Sequence, residues 1–182
     1  MDSESERTRQ LGCWDGPTIV SSFVNQWTTT QPTPDFEPDD VYCNALIGVG
    51  FNECSAEVSD YWRSVIKSNY RGDDGRRRIR MAAINLAERG GLHLRLSDIR
   101  CPVLWLHVRD ILLAQGNKAN MLGQGTKDAV YSAANATEEI KKFTQSPDAQ
   151  VVTVSEGAHF LNWTHPADVN KAVLDFIEKC QS

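Results

Sequence analysis

The chain has 182 residues and a formal net charge of −5, so it has room for one domain, or one domain with an appendage, and no general affinity for nucleic acid or anionic membranes. No apolar run approaches the ~20 residues of a membrane span, and the polar, acidic start "MDSESERTRQ" resembles neither a secretory signal nor a transit peptide. Five widely spaced cysteines without a C-x-x-C pair argue against a disulfide framework and a zinc site, and they predict a reducing, cytoplasmic location.

Residues 1–97 show helical patterns and no clear strand. The stretch "SAEVSDYWRSVIKSNY" (55–70) places its apolar residues on one helical face, and "RRIRMAAINLAER" (77–89) repeats the pattern until two glycines stop it. Between residues 28 and 40, "TTTQPTPDFEPDD" carries three prolines and is typical of a loop. The arginine-rich "RGDDGRRRIR" (71–80) includes two aspartates and lacks interleaved aromatics, which favours a solvated helix start over a nucleic-acid patch.

From about residue 98 the pattern becomes that of an α/β protein. Short apolar or β-branched runs at Val103–Leu106 and Val151–Val154 are typical of strands buried on both faces. A helix follows each strand, the first over roughly Ala133–Thr144 and the second from Pro166. The apolar stripes expected to face inward are Ala133, Ala136, Ile140 and Phe143 in the first helix, and Val169, Ala172, Val173, Phe176 and Ile177 in the second. This order of elements predicts a right-handed parallel unit that forms part of a larger sheet.

The loop after the second strand carries the first candidate catalytic residue. In "SEGAHFLNWTHP" (155–166), the Gly-Ala pair permits a sharp turn that presents His159 at the carboxyl end of a parallel sheet, where ligands bind in open α/β folds. The two apolar residues that follow His159 are expected to anchor the loop. On these residues alone, a structural and a catalytic role for His159 are equally open.

A second feature lies between the first strand and its helix. The stretch "VRDILLAQGNKANMLGQ" (108–124) interrupts a strand-to-helix connection that normally takes ~2–6 residues. It also leaves two aspartates competing to orient a catalytic histidine, Asp110 within the stretch and Asp128 after it.

Three segments together resemble the C-terminal third of α/β-hydrolase fold enzymes: "DIRCPVLWLH", "GTKDAVYSAANATEEIKKF" and "SPDAQVVTVSEGAHFLNWTHPADVNKAVLDFI". In that family a "dI-x-x-P-v-l" segment leads in the last two strands, an H-G-x-x-D turn after the first bears the catalytic acid, and G-x-H-F follows the second. The resemblance covers roughly residues 96–179, apart from the interruption. It implies a partial α/β-hydrolase fold, with a helical cap over 1–97 and, over 98–182, the last two parallel strands of the core with their helices.

The family's H-G-x-x-D turn favours Asp128 as the acid. The turn is absent from "HVRD", but deleting residues 108–124 joins His107 to "GTKD" and restores it. Asp110 has the wrong spacing and precedes a sequence foreign to the family. The stretch begins with Val, whose codons start with GT, and ends with Gln, one of whose codons is CAG. Because GT and AG are the boundaries of an intron, we hypothesise a translated, unspliced intron of the short kind found in filamentous fungi. A genuine inserted surface loop is the alternative, and sequencing of spliced transcripts distinguishes the two; both predict a protruding loop.

The resemblance implies a serine-hydrolase mechanism without a metal or cofactor. Asp128 would orient His159 and stabilise its imidazolium, and His159 would deprotonate a serine that attacks an ester, lactone or similar acyl bond of a small-molecule substrate. The family's serine stands in a G-x-S-x-G motif before the acid and base; this chain has no such motif, and we expect it to begin after the nucleophile. The alternative is a non-catalytic remnant or a binding module. Fungal relatives often serve secondary-metabolite clusters, an association that leaves the substrate open.

A sheet reduced to its last two strands would also expose an unpaired edge. Such an edge pairs readily with another chain. We therefore expect self-association through the sheet edge, with no nucleic-acid partner and no membrane span.

The 182-residue chain is expected to turn over no ester substrate and to resist labelling by a fluorophosphonate probe. The reason is that an acid–base pair without its nucleophile retains only binding and charge stabilisation. Gel-based labelling checks this, with an authentic serine hydrolase added to the same sample as a positive control. Labelling of a particular serine of this chain, mapped by mass spectrometry, would contradict the expectation.

Overall fold

The computed structural model describes residues 10, 11, 13, 16–88, 92–109, 128 and 130–181. In this part of the chain the structure mixes helices with one two-stranded parallel sheet, in agreement with the predicted α/β class at that coarse level. No helix in the described ranges is long and apolar enough to cross a membrane. The chain divides into two compact units, of which one is helical and the other carries both strands; the predicted boundary between a cap and a core at residue 98 stays a prediction.

The helical unit comprises Asp15–Val49 and Glu53–Gly91. Its helices are α1 (Gly16–Gln26), α2 (Asp40–Phe51, whose last two residues belong to the other unit), α3 (Ala56–Asn69) and α4 (Gly72–Glu88). The predicted helix over 55–70 is confirmed as α3, where the Ser55 side chain accepts a hydrogen bond from the Val58 backbone N–H and caps the first turn. The proline-rich stretch between α1 and α2 is a loop, as predicted, and α2 begins at its last residue, Asp40.

Helix α4 begins at Gly72, earlier than the predicted start at Arg77. Asp73 and Asp74 occupy its first turn, where negative side chains interact favourably with the helix dipole. The expectation of a solvated arginine run is wrong for Arg76, which is buried: its Nη1 donates to the Trp27 carbonyl oxygen and its Nε to the Thr33 hydroxyl, each at 2.8 Å. A charge pattern cannot predict this, because both acceptors lie more than 40 residues away in the chain.

Aromatic and aliphatic side chains form the interior of the helical unit. The ring of Trp27 lies 5.7 Å from that of Phe23 and 4.9 Å from that of Tyr42. Burial raises the pKa of Tyr42 to about 12, so its hydroxyl stays neutral at physiological pH. The buried apolar residues of this unit include Val20, Trp27, Cys43, Ile47, Ile66, Ile79 and Ala83.

The strand-bearing unit comprises Met1–Trp14, Gly50–Asn52 and Leu92–Ser182. Its elements after Leu92 are, in order, a 3-10 helix (His93–Asp98), β1 (Val103–Arg109), α5 (Ala133–Glu139), a 3-10 turn (Ile140–Lys142), β2 (Ala149–Ser155), α6 (Leu161–Thr164) and α7 (Pro166–Gln181). β1 and β2 pair in parallel, with Val103 opposite Ala149 and Arg109 opposite Ser155. The predicted parallel neighbours are therefore confirmed, and both strands end at the same edge of the sheet.

Both strands are longer than predicted, and β1 changes the limits of the proposed insertion. β1 continues beyond Leu106 through Val108 and Arg109, the first two residues of the stretch assigned to a loop. Val108 is buried and packs with Val154 and Leu161, because its register places it directly opposite Val154. Residues 108 and 109 therefore do not protrude as a loop, contrary to the prediction, and residues 110–127, with the rest of the predicted loop, lie outside the described part of the chain.

The two helices after the strands also differ from the predicted faces. α5 ends at Glu139. Ala136 of the predicted apolar stripe is buried, as expected, while Ala133, Ile140 and Phe143 are only half-buried and the polar Asn135 and Glu139 are buried beside Ala136. Glu139 tolerates burial because its carboxylate accepts from His93 Nδ1 at 2.8 Å and from Lys142 Nζ at 3.0 Å. In α7, Val173 and Ile177 are 37% and 45% exposed although both were expected to face inward, since the described sheet has only two strands to cover them.

Replacing Ile79 by alanine should lower the free energy of unfolding of the helical unit by ~2–5 kcal/mol, because its side chain is almost fully buried and the change leaves a cavity. Urea denaturation followed by far-ultraviolet circular dichroism measures the change. The matched control is Met81→Ala on the same helix, where the side chain is 59% exposed and the cost should stay below about 1 kcal/mol. Equal costs for the two variants would contradict the described packing of α4.

Candidate active site

The parallel pairing of β1 and β2 brings three polar residues together near the carboxyl ends of the strands. His107 stands on β1, opposite Thr153 of β2. Asp128 follows β1 in the chain, and His159 follows β2. Side chains at the carboxyl ends of parallel strands share one edge of the sheet, which is where open α/β folds place their ligands.

Asp128 is the centre of this cluster. The carboxylate is buried, and its Oδ1 accepts hydrogen bonds from the backbone N–H groups of Val130 at 2.8 Å and Tyr131 at 3.1 Å. The same oxygen lies 3.1 Å from His159 Nδ1, within the 2.6–3.2 Å predicted from the sequence, so that contact is confirmed. A buried carboxylate with three such partners is held in one orientation.

The loop that carries His159 turns for a different reason from the predicted one. Glu156, not a glycine, adopts the left-handed conformation after β2, with φ of 61°. Gly157 serves another purpose, because a Cβ atom at this position would lie 2.3 Å from Leu161 Cδ2. The glycine therefore permits close packing of the loop against α6, and the turn itself is made one residue earlier.

Phe160 anchors the His159 loop, as predicted. Its backbone N–H donates to the Gly50 carbonyl oxygen at 2.8 Å, and its ring packs edge-on against Phe51 at 5.4 Å between centroids. A Cβ atom on Gly50 would lie 2.1 Å from the Phe160 ring, so the contact requires glycine there. The sequence gives no indication that Gly50 contacts Phe160, because the two residues lie 110 positions apart in the chain.

His107 is the residue whose position the sequence did not predict. Its imidazole is buried, and its Nδ1 lies 3.8 Å from Asp128 Oδ2, so Asp128 faces a histidine with each carboxylate oxygen. The family resemblance identified His107 only as the first residue of the H-G-x-x-D turn motif. The signal that could have found it is its position near the end of a buried strand, beside the connection that leads to the acid.

For both buried groups, Asp128 and His107, burial shifts the pKa in one direction and the neighbouring groups shift it in the other. Burial raises the pKa of Asp128, but the hydrogen bonds from His159, Val130 and Tyr131 lower it more, and the net result is a pKa below its usual range. For His107, burial lowers the pKa more than the charge of Asp128 raises it. Asp128 therefore stays ionised and His107 stays neutral near pH 7.

Asp128 and His159 form a carboxylate–imidazole pair. Asp128 is 7% exposed and His159 28% exposed at their side chains, so the acid is shielded while the imidazole can be reached from solvent. Because the carboxylate faces Nδ1, it keeps the proton on that nitrogen, and Nε2 is the nitrogen able to accept one. Asp110, the other candidate acid, lies outside the described residues.

No group of three or more His, Cys, Asp or Glu in the described ranges is arranged to hold a metal ion. Comparisons of the chain with protein-family models, with curated proteins and with solved structures find no match.

Replacing Asp128 by asparagine should lower the free energy of unfolding by ~1–3 kcal/mol near pH 7, because the variant keeps an acceptor oxygen and loses the charge. A carboxylate whose folded pKa is depressed stabilises the fold above the unfolded pKa of ~3.9, and this contribution is lost as the pH falls through the folded pKa. The difference between the two proteins should therefore shrink in acid.

Urea unfolding at several pH values measures this difference. Asp98→Asn is the control. Asp98 is 65% exposed and its Oδ2 lies 3.7 Å from Arg95 Nε, a long exposed ion pair, so the substitution should cost less than about 0.5 kcal/mol. A difference between wild type and Asp128→Asn that does not change with pH would show that the charge of Asp128 has no stabilising role.

Proposed function

We propose that this chain carries the acid and base of a serine-hydrolase-type α/β-hydrolase that cleaves an ester, lactone or similar acyl bond. Asp128 is the acid and His159 the base in this proposal. The observation that carries it is the 3.1 Å contact between Asp128 Oδ1 and His159 Nδ1, made between residues that follow two parallel neighbouring strands.

Each partner has the property that its role requires. The acid of such a pair must stay ionised, and the three hydrogen bonds to Asp128 favour its charged form. The base must present its second nitrogen to the nucleophile, and His159 is the more exposed of the two side chains. When His159 takes a proton at Nε2, the imidazolium is stabilised by the carboxylate it already contacts.

Backbone contacts keep the pair in place during such a proton transfer. Val130 and Tyr131 fix the carboxylate through their N–H groups, and the bond from Phe160 to Gly50 fixes the loop that bears the base. A pair held in this way needs little reorganisation when charge develops, which is how preorganised sites lower a barrier. The predicted helical cap over 1–97 and the small-molecule acyl substrate belong to the same proposal.

The serine nucleophile of this mechanism must come from outside these residues, because the 182-residue sequence contains no G-x-S-x-G motif. The coding sequence upstream of the Met1 codon is therefore the first test. An in-frame strand–G-x-S-x-G–helix pattern there supports the proposal. A stop codon with no hydrolase coding before it contradicts the proposal and favours a non-catalytic binding module.

The protein that joins such an upstream segment to this chain should react with a fluorophosphonate probe and lose that reaction when its motif serine is replaced. Asp128→Asn should lower kcat by roughly 10⁴, because the histidine then loses its correct tautomer and the stabilisation of its charged form. His159→Gln should act on the same step, so the double variant should be little worse than either single variant. Asp98→Asn is the control that should keep full activity, and activity surviving in His159→Gln would refute His159 as the base.

A further inference from the structure

A groove in the helical unit is lined by arginine and threonine side chains. It lies between the threonines at 28–30, which follow α1, and four residues of α4, Arg76, Arg77, Arg80 and Met81. Its volume is about 480 Å³, within the ~300–1,000 Å³ typical of small-molecule sites. No carboxylate lines it in the described part of the chain, although the whole chain carries a net charge of −5. The groove therefore concentrates positive charge locally.

The two aspartates at the start of α4 leave most of this charge uncompensated. Asp74 Oδ2 pairs with Arg78 Nε at 3.0 Å, and Arg78 does not line the groove. Asp73 Oδ1 accepts hydrogen bonds from the backbone N–H and the hydroxyl of Thr33, at 2.6 and 2.8 Å. It lies farther, at 3.9 Å, from Arg76 Nη2. The aspartates thus compensate one arginine outside the groove and, in part, one arginine inside it.

Arg77 and Arg80 keep N–H donors for a ligand. Neither makes an ion pair within the described part of the chain. Arg80 Nε donates to the Thr28 hydroxyl at 3.1 Å, a bond that holds the guanidinium beside the threonines and leaves its two terminal nitrogens for another acceptor. The two arginines are three positions apart on α4 and are therefore neighbours on the helix surface. Adjacent guanidinium groups repel each other unless an anion lies between them.

The threonines supply neutral donors beside these charges. Thr29 Oγ1 accepts from the Gln31 backbone N–H at 3.1 Å, so its own hydrogen is left to donate. Thr30 is exposed beside it and lines the same groove. Thr28 has a different part, because its hydroxyl already donates to the Val24 carbonyl oxygen at 3.0 Å. It positions the groove wall, while the other two hydroxyls can bind a ligand.

We propose that this groove binds a phosphate group, either that of a small phosphorylated molecule or inorganic phosphate itself. A phosphate monoester has three acceptor oxygens and a charge of about −1.5 to −2 near pH 7. Two guanidinium groups and two hydroxyls match that number of oxygens and that charge, whereas one guanidinium fork already satisfies a carboxylate. Met81, 59% exposed, offers an apolar contact to the rest of an attached molecule. The site does not depend on the chemistry proposed for Asp128 and His159.

The groove favours a small ligand over nucleic acid. An extended polyanion binds through many phosphate contacts along a basic surface. Here the uncompensated cations are confined to one groove, and the net charge of −5 opposes the approach of a long polyanion. The described lining also includes no aromatic side chain on which a base could stack.

Isothermal titration calorimetry of the 182-residue chain at fixed ionic strength tests the proposal, with inorganic phosphate, phenyl phosphate and acetate as titrants. Both phosphate compounds should bind, and acetate should bind at least roughly tenfold more weakly. Tighter binding of phenyl phosphate identifies the ligand as a phosphorylated molecule, and equal or weaker binding identifies it as the free ion. Arg77→Gln and Arg80→Gln should each weaken phosphate binding at least roughly tenfold, because each removes charged donors.

Arg78→Gln is the matched control, since Arg78 lies on the same helix, is 57% exposed and carries the same charge outside the groove. It should leave the dissociation constant unchanged. Circular dichroism establishes that each variant is folded, and the exposed Arg77 keeps the test decisive if Arg80→Gln unfolds the protein.

Three results would each overturn the proposal. The first is the absence of binding heat for both phosphate compounds. The second is an equal loss of affinity in Arg77→Gln and Arg78→Gln, which would indicate a general charge effect. The third is tighter binding of a short single-stranded oligonucleotide than of phenyl phosphate, which would indicate a nucleic-acid surface.

Discussion

The in-register parallel pairing of β1 with β2 is the constraint on which the rest of the strand-bearing unit depends. Since both strands run in the same direction, the segments that leave them emerge at one edge, and Asp128 meets His159 although 31 residues separate them. The same register places Val108 opposite Val154 and buries both. A slip of one residue would turn these valines to the other face and move His107 away from the acid. Packing and chemistry are therefore set by one alignment of two strands.

Asp128 shows how a buried charge is made tolerable. An ionised carboxylate removed from water is strongly destabilising unless hydrogen bonds replace the lost hydration. Here two backbone N–H groups and one imidazole converge on a single oxygen, while His107 faces the other. The backbone donors come from the residues directly after Asp128, so the turn that leads into α5 also holds the acid. The turn after Asp128 therefore both leads into α5 and forms part of the candidate site.

The His159 loop is likewise held in place by a few specific contacts. Gly157 allows α6 to pack closely beneath the loop, and Gly50 allows the Phe160 ring to approach the end of α2. Neither glycine takes a left-handed conformation; that role falls to Glu156. The His159 loop is therefore positioned by close packing at two glycines and by one backbone hydrogen bond, so substitutions at these glycines can displace the imidazole.

The amino-acid sequence by itself determined the class of both strands and of α3, α4, α5 and α7, because strand and helix periodicity are local properties. It predicted α3, the parallel order of β1 and β2, and Asp128 as the acid next to His159, the last through a family resemblance. It did not determine the element boundaries, the inward turn of Arg76, the burial of Glu139 or the approach of His107 to Asp128. Each of these depends on a partner that is distant in the chain or on the accessibility of a face. Only the tertiary structure brings the Trp27 carbonyl to Arg76, His93 to Glu139 and Gly50 to Phe160. Such contacts override local propensity because a buried polar group must find a partner wherever the fold supplies one.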